Sequence, residues 1–246
     1  MGLDPLYYLL SLPALILSAV FAARVKSVFG RYAGVRAASG MTGAEAAASM
    51  LARSGVADVE IRRVSGVLTD HYNPANKTLN LSPDVYGGRS LSALGVACHE
   101  AGHALQHVAG YRWLGLRTAL VPAANLGSKF AYFVFFAGLL LSSGATGPDG
   151  VPAEGGGLGM ALVKAGIVLF CGAVAFSLVT LPVEWDASAR AKRQLVQLGM
   201  LSPSEEKGAA AVLNTAFMTY VAAAVGSLST LLYFLVRSGL LGGRRR

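Results

Sequence analysis

Residues 90–110 read SLSALGVACHEAGHALQHVAG and hold three of the four histidines in the chain. Ser90 or Ser92 is a suitable N-cap, and Gly110 is a suitable stop after about Val108. The stretch therefore predicts one continuous helix with its polar residues gathered in its second half.

The HExxH spacing within this helix predicts a metal site. His99 and His103 are four residues apart, so they project from one face, one turn apart. Two neutral imidazoles with an open coordination position are typical of a zinc hydrolase, in which zinc activates water. Glu100 can reach that water as a general base without being a ligand. Gly102 is expected to let the backbone approach the metal.

Two further residues of this helix are not expected to bind the metal. His107 continues the same face by another turn and is expected to pack or to orient its neighbours rather than to bind the metal. Cys98 should point about 100° away from His99 and is expected to be a small apolar filler. A chance HExxH in an amphipathic helix is the competing interpretation, and the rarity of the pattern disfavours it.

The composition predicts a membrane protein. Hydrophobic residues make up 54% and charged residues 14% of the chain, and the mean hydropathy is +0.52. We predict a mainly α membrane protein of about four transmembrane helices, with a small α+β catalytic domain. A span needs roughly 20 residues to cross the bilayer core, and the first is expected to be an uncleaved anchor. The predicted spans are residues 5–23, 119–146, 158–181 and 209–236.

The distribution of Lys and Arg predicts the orientation in the cell membrane. Basic residues concentrate in 24–118 and 182–208, which places both segments and the active site in the cytoplasm. The acidic segment 147–157 becomes an external loop, whereas the basic tail, 237–246, would lie outside against the same bias. The net charge of +8 is scattered among spans, so nucleic acid is not expected as a partner.

The segment between the first two spans shows patterns typical of both helices and strands, and the order of the strands in its sheet is left open. Its strands are short, and its predicted helix lies behind a capping box. The predicted elements are a helix over 44–53 behind Thr42 and Glu45, and strands over 56–67 and 77–81 with an Asn73-Pro74 turn between them.

A catalytic zinc usually has three protein ligands. The third ligand must lie on the same side of the membrane as His99. Glu184 meets this condition because two predicted spans separate it from the HExxH helix. Pro182 is expected to begin a helix there. Asp186 is the rival ligand, and it could instead orient an imidazole or pair with Arg190 four residues on.

Two motifs together resemble a known family. They are DHYNPANKTLNLSPDVYGGRSLSALGVACHEAGHALQH and LPVEWDASARA, and the chain resembles the YugP-like membrane zinc metallopeptidases over most of its length. That family is similar to the HtpX-like gluzincin membrane proteases, whose glutamate ligand lies in a pattern like Glu-Tyr-x-Ala-Asp. Glu184, Trp185 and Ala187 take the corresponding positions, and Ser188 stands where the pattern has Asp.

The resemblance implies a gluzincin-like catalytic domain that hydrolyses peptide bonds of membrane or misfolded proteins. It also implies that strand 77–81 lies along the cleft and pairs with extended substrate, although an ordinary sheet strand is an equal alternative. His71 and Tyr72 could stabilise the oxyanion or could simply be turn residues. No regulatory partner is predicted.

Two other functions compete with this one. A site-2-type intramembrane protease would place residues 90–110 within the bilayer and use the Asp of GPDG, 147–150, as a ligand. The many polar residues on that helix disfavour it. A non-enzymatic zinc-binding membrane scaffold would need a fourth protein ligand, and the sequence offers no obvious one.

Overall fold

The computed structural model describes residues 5–143 and 156–241, and within them the chain is mainly helical with one small sheet. Most of the predicted external loop, with Asp149 and the GPDG motif, lies outside these residues, as does the end of the basic tail. The elements are α1 Pro5–Ala33, α2 Gly43–Arg53, β1 Glu60–Arg63, β2 His71–Asn73, β3 Thr78–Leu81, α3 Pro83–Tyr86, α4 Leu91–Val108, α5 Arg112–Ser143, α6 Gly156–Gln197 and α7 Pro203–Arg237.

Four of the helices, α1, α5, α6 and α7, are long and apolar enough to cross a membrane. The prediction of a mainly α membrane protein with a small sheet is therefore confirmed. The helix α4, which carries HExxH, is not among these four within the described residues.

The prediction that Pro182 begins a helix is wrong. The helix α6 continues through Pro182, so Glu184 belongs to the same helix as the third predicted span. Proline has no N–H, so the Leu178 carbonyl loses its usual helical partner, a loss that membrane helices tolerate. Two carbonyls that follow are also contacted by side chains from outside this helix. Tyr111 Oη lies 3.5 Å from the Pro182 carbonyl, and Gln106 Nε2 donates to the Val183 carbonyl at 2.8 Å.

One compact unit comprises residues 19–115 and 180–221, and its core surrounds α4. The predicted ends of α4 are confirmed, because Ser90 Oγ accepts from the Ala93 N–H and Gly110 has a φ of +61°. Apolar side chains from α2, β3 and α7 pack around this helix and fix its position. They include Met50, Leu79, Leu81 and Leu213.

The capping box before α2 is also confirmed. Thr42 N donates to Glu45 Oε2 at 2.7 Å, and Glu45 N donates to Thr42 Oγ1 at 3.2 Å. These hydrogen bonds hold the pKa of the Glu45 carboxyl below its ordinary value. Two of the backbone N–H groups at this helix start are therefore satisfied locally.

The sheet has the order β1–β3–β2, with β1 parallel and β2 antiparallel to β3. The strand predicted over 56–67 covers only Glu60–Arg63. Strand β2 was not predicted, because it has only three residues and ends at Asn73, where a turn was expected. Strand β3 matches its prediction, but its expected pairing with substrate is wrong. Both of its edges are already used, and the edge that faces α4 belongs to β2.

The second compact unit comprises residues 116–143, 156–179, 222–241 and the described start of α1. Aromatic side chains form its core, with Phe135 and Phe234 stacked at a centroid distance of 4.0 Å. The helices α5 and α6 approach closely at small residues, since a Cβ on Gly127 would lie 2.3 Å from the Leu169 carbonyl oxygen. Such small-residue contacts are typical of helix pairs in membranes.

Candidate metal centre

His99 and His103 of α4 face Glu184 of α6 across a buried gap. One ligand atom from each of the three residues lies within 4.8 Å of the others. Glu184 Oε2 lies 3.2 Å from His99 Nε2 and 3.5 Å from His103 Nε2. The structure therefore brings the two sequence-predicted histidines together with the favoured third residue.

The separation of these atoms fits a zinc ion. Tetrahedral ligands at 2.0–2.1 Å from zinc lie about 3.3 Å apart, close to both distances to Glu184 Oε2. The side chain of Glu184 is only 2% exposed, and a carboxylate so deeply buried is strongly favoured by a neighbouring cation. Three donors of this kind suit a catalytic zinc with one open position.

The electrostatics of the cluster also favour a cation. Burial disfavours the charged form of His103, but the hydrogen bond to Glu184 and the negative charge of Glu184 outweigh it. The pKa of His103 consequently lies above its ordinary value. The negative potential that retains this proton would equally attract a divalent ion.

The approach of α4 to α6 depends on Gly102. A Cβ at this position would lie 2.7 Å from the Ala187 carbonyl oxygen, which is too close. The missing side chain of Gly102 makes room for α6, and the expectation that it also admits the backbone to the metal stays a prediction. This close packing is what holds Glu184 opposite the two histidines.

Both imidazoles are oriented through their second nitrogen. His99 Nδ1 lies 3.1 Å from Ser188 Oγ, and His103 Nδ1 lies 3.0 Å from Gln106 Oε1. Ser188 thus takes the orienting position at which the resembling pattern has Asp. Partners of this kind fix the ring so that Nε2 points to the metal position.

Asp186, the rival ligand, is not part of the three-residue cluster. Its Oδ2 accepts from Gln106 Nε2 at 2.8 Å and from Arg190 Nε at 2.6 Å. Asp186 therefore pairs with Arg190, and it reaches His103 only indirectly, through Gln106. Sequence reasoning missed Gln106, although an amide three residues after His103 on a buried helix face was an available signal.

We predict that Gln106→Leu weakens zinc binding by about 10- to 100-fold, the usual effect of removing a partner of a ligand imidazole. The free His103 Nδ1 would no longer hold the ring in one orientation. Competition with a chromophoric chelator measures the zinc Kd, and exposed Gln197 provides a matched control, Gln197→Leu. An unchanged Kd in the Gln106 variant would contradict the orienting role.

Glu100 lies beside the cluster, is 9% exposed, and lines the same cavity as His99 and Glu184. Its Oε2 accepts from the backbone N–H of Tyr72 at 3.1 Å, so β2 fixes the carboxylate. The Tyr72 hydroxyl lies 2.8 Å from His107 Nδ1. His107 thus positions Tyr72 and is not in the cluster, in agreement with its predicted role.

The ring of His71 is engaged away from the cluster. Its Nδ1 lies 2.8 Å from the Thr69 carbonyl oxygen, and its Nε2 lies 3.2 Å from Asn80 Nδ2. Neither His71 nor Tyr72 belongs to the described lining of the cavity. The oxyanion role of these two residues stays a prediction.

The cavity at the cluster has a volume of about 270 Å³ and two different walls. One wall is polar and comes from α4 and α6, where His99, Glu100 and Glu184 lie. The opposite wall is apolar and comes from α1 and α7. Its side chains include Phe29, Val212, Ala216 and Phe217.

Cys98 is fully buried in the core around α4, as predicted. Burial raises the pKa of its thiol to about 12, so the thiol stays protonated at neutral pH. Cys98 does not belong to the cluster of His99, His103 and Glu184. Among the described residues, no fourth His, Cys, Asp or Glu joins the cluster, which disfavours a purely structural zinc site.

Comparison with known proteins agrees with the resemblance inferred from the two motifs. Residues 7–239 match the family described as "Putative neutral zinc metallopeptidase". The chain is 44% identical over 231 residues to "Putative membrane protease YugP" of Bacillus subtilis (strain 168), covering 94% of this chain and 96% of that protein. No solved structure matches the chain.

Proposed function

Since the chain belongs to the family of neutral zinc metallopeptidases, we propose that it is a membrane-bound endopeptidase whose zinc is held by His99, His103 and Glu184. The observation that carries the proposal is the convergence of these three side chains on one point, with Glu100 beside it. This arrangement is that of a gluzincin-type HExxH site with a distant glutamate ligand.

Zinc bound at this point supplies a Lewis acid that polarises water and a peptide carbonyl. The protein contributes the orientation of the ligands through Ser188 and Gln106, which keep both Nε2 atoms turned inward. The tight packing of α4 on α6 at Gly102 maintains the distance between the histidines and Glu184.

Glu100 is the general base in this proposal. The Tyr72 N–H donates a hydrogen bond to Oε2 of its carboxylate. The other oxygen, Oε1, therefore accepts the proton of the attacking water in this proposal. Glu100 then passes that proton to the amine that leaves when the peptide bond breaks. Partial burial keeps the carboxylate close to the reacting atoms and away from bulk water.

The substrate in this proposal is an extended peptide, from a membrane or misfolded protein, with an apolar side chain next to the cleaved bond. Strand β2 is at the edge of the sheet and its Tyr72 N–H donates to Glu100, so an extended peptide can lie along this edge beside the general base. The apolar wall from α1 and α7 suits an apolar side chain. The concentration of Lys and Arg in 24–118 supports an active site on the cytoplasmic face.

Metal removal tests the proposal. We expect a zinc chelator to lower the cleavage rate of an apolar peptide by at least about a hundredfold, because the Lewis acid contributes several kcal/mol to the transition state. Stoichiometric zinc should restore the rate, and magnesium should not, because imidazole ligands suit zinc better. Full cleavage by protein shown to be zinc-free by elemental analysis would refute it.

A further inference from the structure

A second cavity in the same compact unit lies between α1 and α7 and has a volume of about 660 Å³. It shares no lining residue with the cavity at the metal centre. We call it the α1–α7 cleft. Its lining includes Phe21, Arg24, Ser27 and Arg31 of α1, and Asn214 and Met218 of α7.

The α1–α7 cleft changes from apolar to polar along its length. The two helices run in opposite directions here, because Tyr32 of α1 packs against Gly208 near the start of α7. Phe21, at the end of the apolar stretch of α1, therefore lies towards Met218, whereas Arg31 lies towards Asn214. The cleft thus follows the expected change from hydrocarbon to headgroup at a membrane surface.

The polar end of the cleft has positive charges without a carboxylate partner. Arg24 and Arg31 are seven residues apart, which places them on one face of α1 at a spacing of about 10 Å. Neither forms an ion pair in the described part of the chain. Lys192 extends the charge, since its Nζ donates to Asn214 Oδ1 at 3.1 Å. The chemistry of this end is that of an anion site.

We propose that the α1–α7 cleft binds an anionic phospholipid. Its phosphate lies between Arg24 and Arg31, and an acyl chain follows the cleft towards Phe21 and Met218. Basic pockets between membrane helices on the cytoplasmic side bind anionic headgroups for the same reason. The apolar end favours a lipid over a soluble phosphate, because a free anion leaves that end uncovered.

Binding of phosphatidylglycerol to the full-length protein in detergent tests this inference, for example by native mass spectrometry across a lipid titration. Phosphatidylcholine is the zwitterionic comparison, and glycerol phosphate is the soluble anion. We expect phosphatidylglycerol to bind tightest of the three. Equal binding of phosphatidylcholine, or full competition by glycerol phosphate at the same concentration, would overturn the proposal.

Charge variants locate the site. Arg24→Gln with Arg31→Gln should weaken phosphatidylglycerol binding by about thirtyfold, roughly fivefold for each guanidinium. The matched control, Lys26→Gln with Arg53→Gln, removes the same net charge from exposed positions outside the cleft lining. Arg24→Lys with Arg31→Lys should retain most of the binding, which separates loss of charge from loss of fold. An equal loss in the control pair would show non-specific attraction and would refute the site.

Discussion

The substitution Glu100→Gln is expected to lower peptide cleavage by about 10²- to 10⁴-fold, the usual contribution of a general base. Glutamine has the shape of glutamate, and its amide oxygen can still accept from the Tyr72 N–H. The carboxylate that takes the proton is lost, whereas His99, His103 and Glu184 keep their positions. Zinc binding should therefore remain close to that of the unsubstituted protein.

The measurement combines kcat on an apolar peptide with zinc content by elemental analysis. Glu60→Gln is the matched control, because Glu60 is an exposed residue of β1 whose carboxylate forms an ion pair with Arg62 on its own strand. A Glu100 variant that keeps zinc and its full rate would remove Glu100 as the base. A variant that loses zinc would instead make Glu100 a ligand, against the geometry of the cluster.

The parts of the fold that follow local rules could be predicted from the sequence. The start and end of α4 depend on Ser90 and Gly110, which act on backbone groups only a few residues away. The capping box at Thr42 depends on a residue three positions later. The four long apolar helices follow from hydropathy alone.

The parts that depend on distant contacts could not be predicted. A proline usually limits a helix, and the contacts that pack α6 around Pro182 against Gln106 and Tyr111 come from a distant part of the chain. Strand β2 has three residues and no alternation to recognise, because it is held by β3 and by the Glu100 carboxylate. Its existence therefore follows from packing rather than from a pattern.

The candidate site divides in the same way. The HExxH spacing identified His99 and His103 within one helix, and counting spans selected the segment that holds Glu184 and its rival Asp186. The role of Gln106 was missed because its two other partners, Val183 and Asp186, lie 77 and 80 residues away. Orienting contacts of this kind appear only once two helices are packed.

The substitution Glu184→Gln is expected to weaken zinc binding by more than about a hundredfold, beyond the effect of losing an orienting partner. A neutral amide is a poor zinc ligand, and the negative charge opposite His99 and His103 disappears. Cleavage should fall with zinc occupancy. Glu60→Gln is again the matched control, because it removes one negative charge from an exposed position outside the cluster.

Thermal unfolding in detergent gives an independent readout of the same substitution. Zinc at about a hundred times its Kd should stabilise the unsubstituted protein by about 2.7 kcal/mol, because zinc binds only the folded chain. The Glu184→Gln protein should gain almost nothing at that zinc concentration. Without zinc it should be less stable than the unsubstituted protein, because the buried contacts of the Glu184 carboxylate with His99 and His103 are lost. A zinc-dependent rise in Tm equal to that of the unsubstituted protein would show that the third ligand lies elsewhere.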